Sequence, residues 1–180
     1  QRALARAARS AGADFLGLAV DWLAARPARW RHRGLPPAHL LRMVCDTAPD
    51  YAAALAMLRD TPLAAGAIFS LAGTRPGEAA VIERAEASHA IIEAAPTAVA
   101  ANGWQCIANP GVPRWRYSAE RHAAMTALLS GPVPREFGWL KPPIANEGSR
   151  LAAMMCPATG RLELLGLEGG EAVTRPLYLN

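Results

Sequence analysis

Asn102 stands directly before Gly103, at the end of the apolar run Thr97 to Ala101, and two roles suit an asparagine placed there. A carboxamide presented by a rigid strand end is a neutral donor, and aimed at charge that develops during a reaction such a donor can be worth roughly 3 to 4 kcal/mol of barrier. An Asn before Gly is also ordinary turn chemistry. The residues by themselves leave both roles open.

Other constellations are weaker. His32, His39, His89 and His122 are isolated from one another, and a metal centre needs several ligands converging, so neither a metal nor a cofactor is expected. Cys45, Cys106 and Cys156 are three in number and widely spaced, which indicates neither a disulfide framework nor a zinc set; buried free thiols are expected. There is no glycine-rich phosphate loop, Gly-x-Ser-x-Gly elbow or His-Glu-x-x-His helix. The densest basic run, Arg26 to Arg33, interleaves Trp30 with cations, as nucleic-acid binders do. It is a single short run without a DNA- or RNA-binding motif around it, so a solvated loop is expected and no nucleic-acid partner.

The elements that must position these residues follow from periodicity. Asp14 to Trp22 reads as a buried strand. Pro36-Pro37 opens a helix with Leu40, Leu41 and Val44 on one face, and Thr47 to Asp50 reads as a capping box starting a second helix with Tyr51, Leu55 and Leu58 inward, ended by Thr61-Pro62. Strands are expected at Gly66 to Ala72, Ala79 to Ala85, His89 to Ala94 and Thr97 to Ala101, forming an antiparallel meander. A helix at Ser118 to Leu129 follows, stopped by Gly131-Pro132. Strands return at Arg150 to Cys156, Arg161 to Leu167 and Ala172 to Leu177, with hairpin residues at Pro157 to Gly160 and Gly169-Gly170.

Elements in that order imply an α+β fold, because a doubly wound parallel sheet needs strands and helices in strict alternation. The 180 residues, 52% hydrophobic and 19% charged, suffice for one folded, soluble domain spanning 1–180. Net charge is +4, with Lys141 the only lysine. No apolar run approaches the roughly 20 residues of a membrane-spanning helix. Gln1 to Gly12 has no apolar signal-peptide region, and the initial Gln suggests that the protein begins further upstream.

A longer pattern runs from Gly34 to Arg84. Gly34-Leu-Pro-Pro-Ala-His-Leu-Leu-Arg42, Tyr51 to Leu63, and Ala67-Ile-Phe-Ser-Leu-Ala-Gly73-Thr-Arg-Pro-Gly77-Glu78 through Ile82-Glu83-Arg84 resemble the acid ceramidase and N-acylethanolamine acid amidase family. There a helix pair leads through a Thr-x-Leu-type segment into a strand, a Gly-Gly-x-x-x-x-Glu-Gly turn and a second strand closing on Ile-x-Arg. Ala101-Asn102-Gly103-Trp104 resembles the family's Thr-Asn-Tyr-Asp-x-Trp segment, shortened by two residues. Pro113 to Ala119 resembles its Asp-Asp-Arg-Arg-Thr segment, and Pro142 to Asn146 with the strand after it resembles its last strand pairs. The resemblance extends over Ala13 to Gly166.

What the resemblance implies is a four-layer αββα sandwich of the N-terminal-nucleophile (Ntn) hydrolases, with antiparallel sheets. A cysteine freed by autoproteolysis attacks an amide carbonyl, with its own α-amino group as base. The resemblance implies Asn102 as the oxyanion donor and Arg114 or Arg116 as the arginine that shapes the site's charge. Trp115 separates two arginines that are adjacent in the family, and the run Arg116-Tyr-Ser-Ala favours Arg116. The family's Thr before the Asn is Ala101 here, and its following acidic residue is absent. None of the three cysteines matches the nucleophile, so the expectation is the C-terminal portion of a linear-amide hydrolase, inactive alone, whose nucleophile lies on a missing N-terminal segment or subunit.

The expected substrate is an N-acyl amide. Acyl transfer of the penicillin acyltransferase kind stays open within the class, and a non-catalytic binding domain of the same fold is the alternative outside it. The compartment stays open between bacterial cytoplasm and periplasm, as does the oligomeric state.

Overall fold

The computed structural model describes residues 34–85, 88–94, 97–108, 117–132, 134 and 136–179. The expected strand at Asp14 to Trp22 and the Arg26 to Arg33 run lie outside the described residues. Within them the fold is α+β, with three helices and two antiparallel sheets.

Helix α1, Pro37–Thr47, follows the extended Pro36, and Pro37 occupies a first-turn position where its missing N–H costs no hydrogen bond. Leu40 and Val44 are buried, one turn apart. Leu41, expected inward beside them, is 45% exposed, because a single residue step turns it about 100° away from Leu40. Helix α2, Tyr51–Asp60, buries Ala54 and Leu58. The expected capping box is replaced by a one-sided cap: the Asp50 carboxylate accepts from the Ala53 N–H at 2.8 Å. Thr47 instead closes α1, its hydroxyl donating to the Met43 carbonyl at 2.7 Å.

Strands β1 (Ala67–Ala72), β2 (Ala79–Arg84) and β3 (His89–Glu93) form the expected antiparallel meander, with β2 central. In its register Phe69, Ile82 and Ile91 share one face, and this face packs on Leu40, Val44, Ala54 and Leu58 of the helix pair. The turn joining β1 to β2 explains the Gly and Glu of the family-like motif. Glu78 accepts from the Arg75 N–H at 3.0 Å and from Arg75 Nε at 2.7 Å, and these hydrogen bonds, backbone first, hold its carboxyl below the ordinary glutamate value. A Cβ on Gly73 would sit 2.4 Å from Glu78 Oε2, so only glycine admits this closure.

Residues 97–101, expected as a fourth strand, form none. Helix α3 spans Ser118–Leu129, as the sequence predicts, and enters from Tyr117 in the left-handed region at φ 64°. The second sheet comprises β4 (Leu151–Cys156), β5 (Arg161–Glu168), β6 (Glu171–Ala172) and β7 (Leu177–Leu179). The single strand expected over Ala172 to Leu177 is thus two short ones, both paired to β5. Pro176, which has no N–H to offer a ladder, lies in the break between them. Gly169 and Gly170, at φ 58° and 88°, make the two-residue β5–β6 turn.

This sheet has its own apolar cluster. Ala152, Leu165 and Leu167 pack against Phe137, Trp139 and Leu140, and Trp139 Nε1 lies 3.3 Å from Met154 Sδ. By register the opposite face carries Leu151, Ala153, Met155, Leu162, Leu164, Leu177 and Leu179. It is largely open, with Leu151 64% and Met155 73% exposed.

Arg84 joins the first sheet to the helix layer. Its guanidinium donates to the Leu58 carbonyl and, at 2.9 Å, to the Thr61 carbonyl, groups that the end of α2 leaves without intrahelical partners. Burial lowers its pKa from the ordinary arginine value.

Two expectations follow. Arg84→Met should lower the free energy of unfolding by about 2 to 3 kcal/mol, since it orphans carbonyls held by a charged donor; an unchanged urea midpoint would refute that role. An open apolar sheet face promotes association, so Leu151→Lys with Met155→Lys should reduce concentration-dependent light scattering while shifting stability by no more than about 0.5 kcal/mol. Scattering unaffected by the pair would place any association elsewhere.

Candidate functional site

The candidate site is the loop from Ala101 to Ala108, laid against the face of the first sheet opposite the helices. Successive residues of a strand point to opposite faces, so the neighbour of Arg84 on β2, Glu83, turns to this side. Its side chain is wholly buried, at 0% exposure. A carboxylate taken out of water is costly unless donors replace its hydration. Here Oε1 accepts from the Gln105 N–H at 2.5 Å, and Oε2 accepts from the Cys106 and Ile107 N–H groups, both at 2.9 Å.

The same loop is held at four further points. Gln105 Nε2 donates to the Val99 carbonyl at 2.8 Å, tying the segment before Asn102 to the one after it. Gln105 Oε1 lies 3.0 Å from His122 Nε2 on α3. The Trp104 ring covers Gly66, where an added Cβ would come within 3.2 Å of it. Gly103 lies against the first turn of α3, its Cβ position 3.4 Å from the hydroxyl of the buried Ser118.

Asn102 sits at the bend of this loop and is exposed. Its carboxamide has no hydrogen-bond partner among the described residues, whereas the backbone on either side of it is tied down. A turn asparagine would spend its oxygen on a backbone N–H two residues on; Asn146 does this, accepting from Gly148 N–H at 2.8 Å. Asn102 makes no such contact among the described residues.

Arg114 and Arg116 lie outside the described residues. The expectation of buried thiols fails, because Cys45, Cys106 and Cys156 are all exposed. Cys45 is on α1 at a position turned away from Leu40 and Val44. Cys106 is fixed through its backbone N–H, which leaves its side chain outside. Cys156 ends β4 at a hairpin, where the Thr159 hydroxyl and then the Thr159 backbone N–H hold its thiol below the ordinary cysteine value. It belongs to the second sheet, apart from the Asn102 loop in the fold's connectivity.

Among the described residues no three His, Cys, Asp or Glu side chains are grouped to hold a metal. No described helix is long and apolar enough to cross a membrane. Reasoning from the sequence did not single out Glu83, Gln105 or His122 as partners of the loop. The signal for Glu83 was present: an adjacent Glu-Arg pair closes the otherwise apolar Ala79 to Ile82, and charges so placed need partners.

Gln105→Ala should lower the stability of the protein by about 1 kcal/mol, since it removes two exposed side-chain hydrogen bonds of ordinary strength. A thermal melting curve superimposable on that of the unsubstituted protein would mean the bridge from Val99 to His122 does not persist in solution. Comparison of this chain with protein-family models, and with curated protein sequences, finds no match in either.

Proposed function

We propose that this chain is part of an Ntn-type hydrolase acting on linear amides in N-acyl substrates, and that Asn102 supplies the oxyanion donor. The proposed frame is the αββα sandwich, with the described α+β elements contributing a helix layer and antiparallel sheets. One observation carries the reading: the Asn102 carboxamide is exposed, and has no hydrogen-bond partner among the described residues, on a loop whose backbone is pinned to the sheet by a buried carboxylate. A donor so mounted needs little reorganisation as charge develops.

In this reading a cysteine thiolate from a segment or subunit outside residues 1–180 attacks the amide carbonyl, with its own α-amino group as base. The carbonyl oxygen becomes an oxyanion, and the Asn102 side-chain N–H stabilises it. The amine leaves with a proton returned from the α-amino group, and water then releases the acid. Arg114 or Arg116 would tune the charge of the site. Asn102 is open to water in this chain, so the proposed active form requires a second portion or the substrate itself to exclude solvent and strengthen the donor's effect.

In the protein assembled with its nucleophile, Asn102→Ala should lower turnover of an N-acyl amide by about two to three orders of magnitude. The Michaelis constant should change far less, because the donor acts on charge present only in the transition state. Asn102→Asp should be at least as damaging, placing a carboxylate against developing negative charge. Normal folding with near-normal turnover in both variants would remove Asn102 from the mechanism and leave the binding-domain reading in its place.

A further inference from the structure

We infer that Glu83 is the positioning residue of this site: its buried carboxylate sets the conformation of the 102–107 loop and so fixes where the Asn102 donor points. The inference rests on the proposed role of Asn102 for its functional half, and on geometry alone for its structural half.

Three observations on the loop converge. All three N–H groups that Glu83 accepts are consecutive, at Gln105, Cys106 and Ile107, so one side chain defines a continuous stretch of backbone. Both carboxylate oxygens are engaged by donors, which orients the carboxylate plane as well as its position. Gln105, whose N–H makes the shortest of these contacts, also carries the side chain that returns to Val99. The constraint therefore passes from Glu83 to both flanks of Asn102. Only two residues, Gly103 and Trp104, lie between Asn102 and Gln105, too short a span for Asn102 to wander independently of the anchor.

The sheet supplies the rigidity. Glu83 pairs with Ile68 on β1 and Ala90 on β3, so its backbone is held on both sides. The next residue, Arg84, is fastened to the helix layer. Displacement of the carboxylate thus requires displacement of the central strand. Glutamine in place of Glu83 would present an NH₂ group to at least one backbone N–H, setting donor against donor in a buried place.

The test has an arm that needs no catalytic activity. In the unsubstituted protein the Gln105, Cys106 and Ile107 amides should exchange hydrogen slowly, and Glu83→Gln should accelerate their exchange about ten- to a hundredfold, the range expected when hydrogen bonds to a charged acceptor are lost. Strand β1 should keep its protection. Fast exchange at 105–107 in the unsubstituted protein overturns the inference without any variant, and remains decisive if Glu83→Gln does not fold.

The second arm is kinetic and uses the assembled protein. Glu83→Gln should lower kcat with little change in KM, and in an Asn102→Ala background it should have almost no further effect, because a misplaced donor and an absent one are equivalent. Glu83→Asp, which keeps the carboxylate one methylene shorter, should recover part of kcat. Equal losses from Glu83→Gln in both backgrounds would make Glu83 a general stabiliser and overturn the positioning role. Accelerated exchange together with an activity indifferent to Asn102→Ala would leave the anchor standing and refute the proposed function.

Discussion

A carboxylate without access to water needs donors in place of its hydration, and Glu83 meets that requirement with three consecutive backbone N–H groups. The arrangement of this half of the molecule depends on that requirement. The loop after residue 101 cannot leave the sheet without stranding a buried charge, and the strand cannot turn over without exposing its apolar side. Arg84, one residue on, applies the same logic to the other face, where the carbonyls at the end of α2 are the acceptors. Alternation along β2 thus lets two adjacent charged residues fasten two different layers to one strand.

This design separates the parts that must be rigid from the part that must be free. Trp104, Gln105 and the 105–107 backbone are committed to packing and hydrogen bonds, and Gln105 closes the loop back onto Val99. Asn102 is left at the bend with its amide exposed. A loop held only by solvent-exposed contacts would present the same side chain over a range of directions. Here three consecutive N–H groups of the presenting loop are bonded to a carboxylate on the central strand, the kind of mounting that the proposed stabilisation of developing charge requires.

The sequence made the two helices, the meander and the β4–β5 hairpin legible, because apolar periodicity and turn residues act locally at each. It failed where the answer depends on partners distant in the chain. Thr47 looked like a cap because its type and spacing are right, but the extended backbone of Asp50 lets a closer side chain take the N–H. Residues 97–101 have the composition of a strand, yet among the described residues no ladder receives them, and their one hydrogen bond there is from Gln105 to the Val99 carbonyl. The cysteines were expected inside as small hydrophobes, and each sits where its neighbours turn it outward. Asn102 was singled out by its place before Gly103 and by the resemblance of its surroundings. The Glu-Arg pair at the end of β2 showed that Glu83 needs partners, but which partners was not legible: they are backbone groups more than twenty residues away, and no pattern of residue types marks a backbone N–H in need of an acceptor.

The central claim is that the Asn102 carboxamide meets an oxyanion. The measurement that bears on it most directly is a crystal structure of the assembled protein bearing an aldehyde analogue of the substrate's acyl chain, R–CHO, captured by the nucleophilic cysteine, whose thiohemiacetal oxygen stands where the oxyanion forms. The account predicts Asn102 Nδ2 at about 2.7 to 3.1 Å from that oxygen, with the 105–107 amides still bonded to Glu83. An adduct whose oxygen is bound by other donors, with Asn102 directed into solvent, would contradict it.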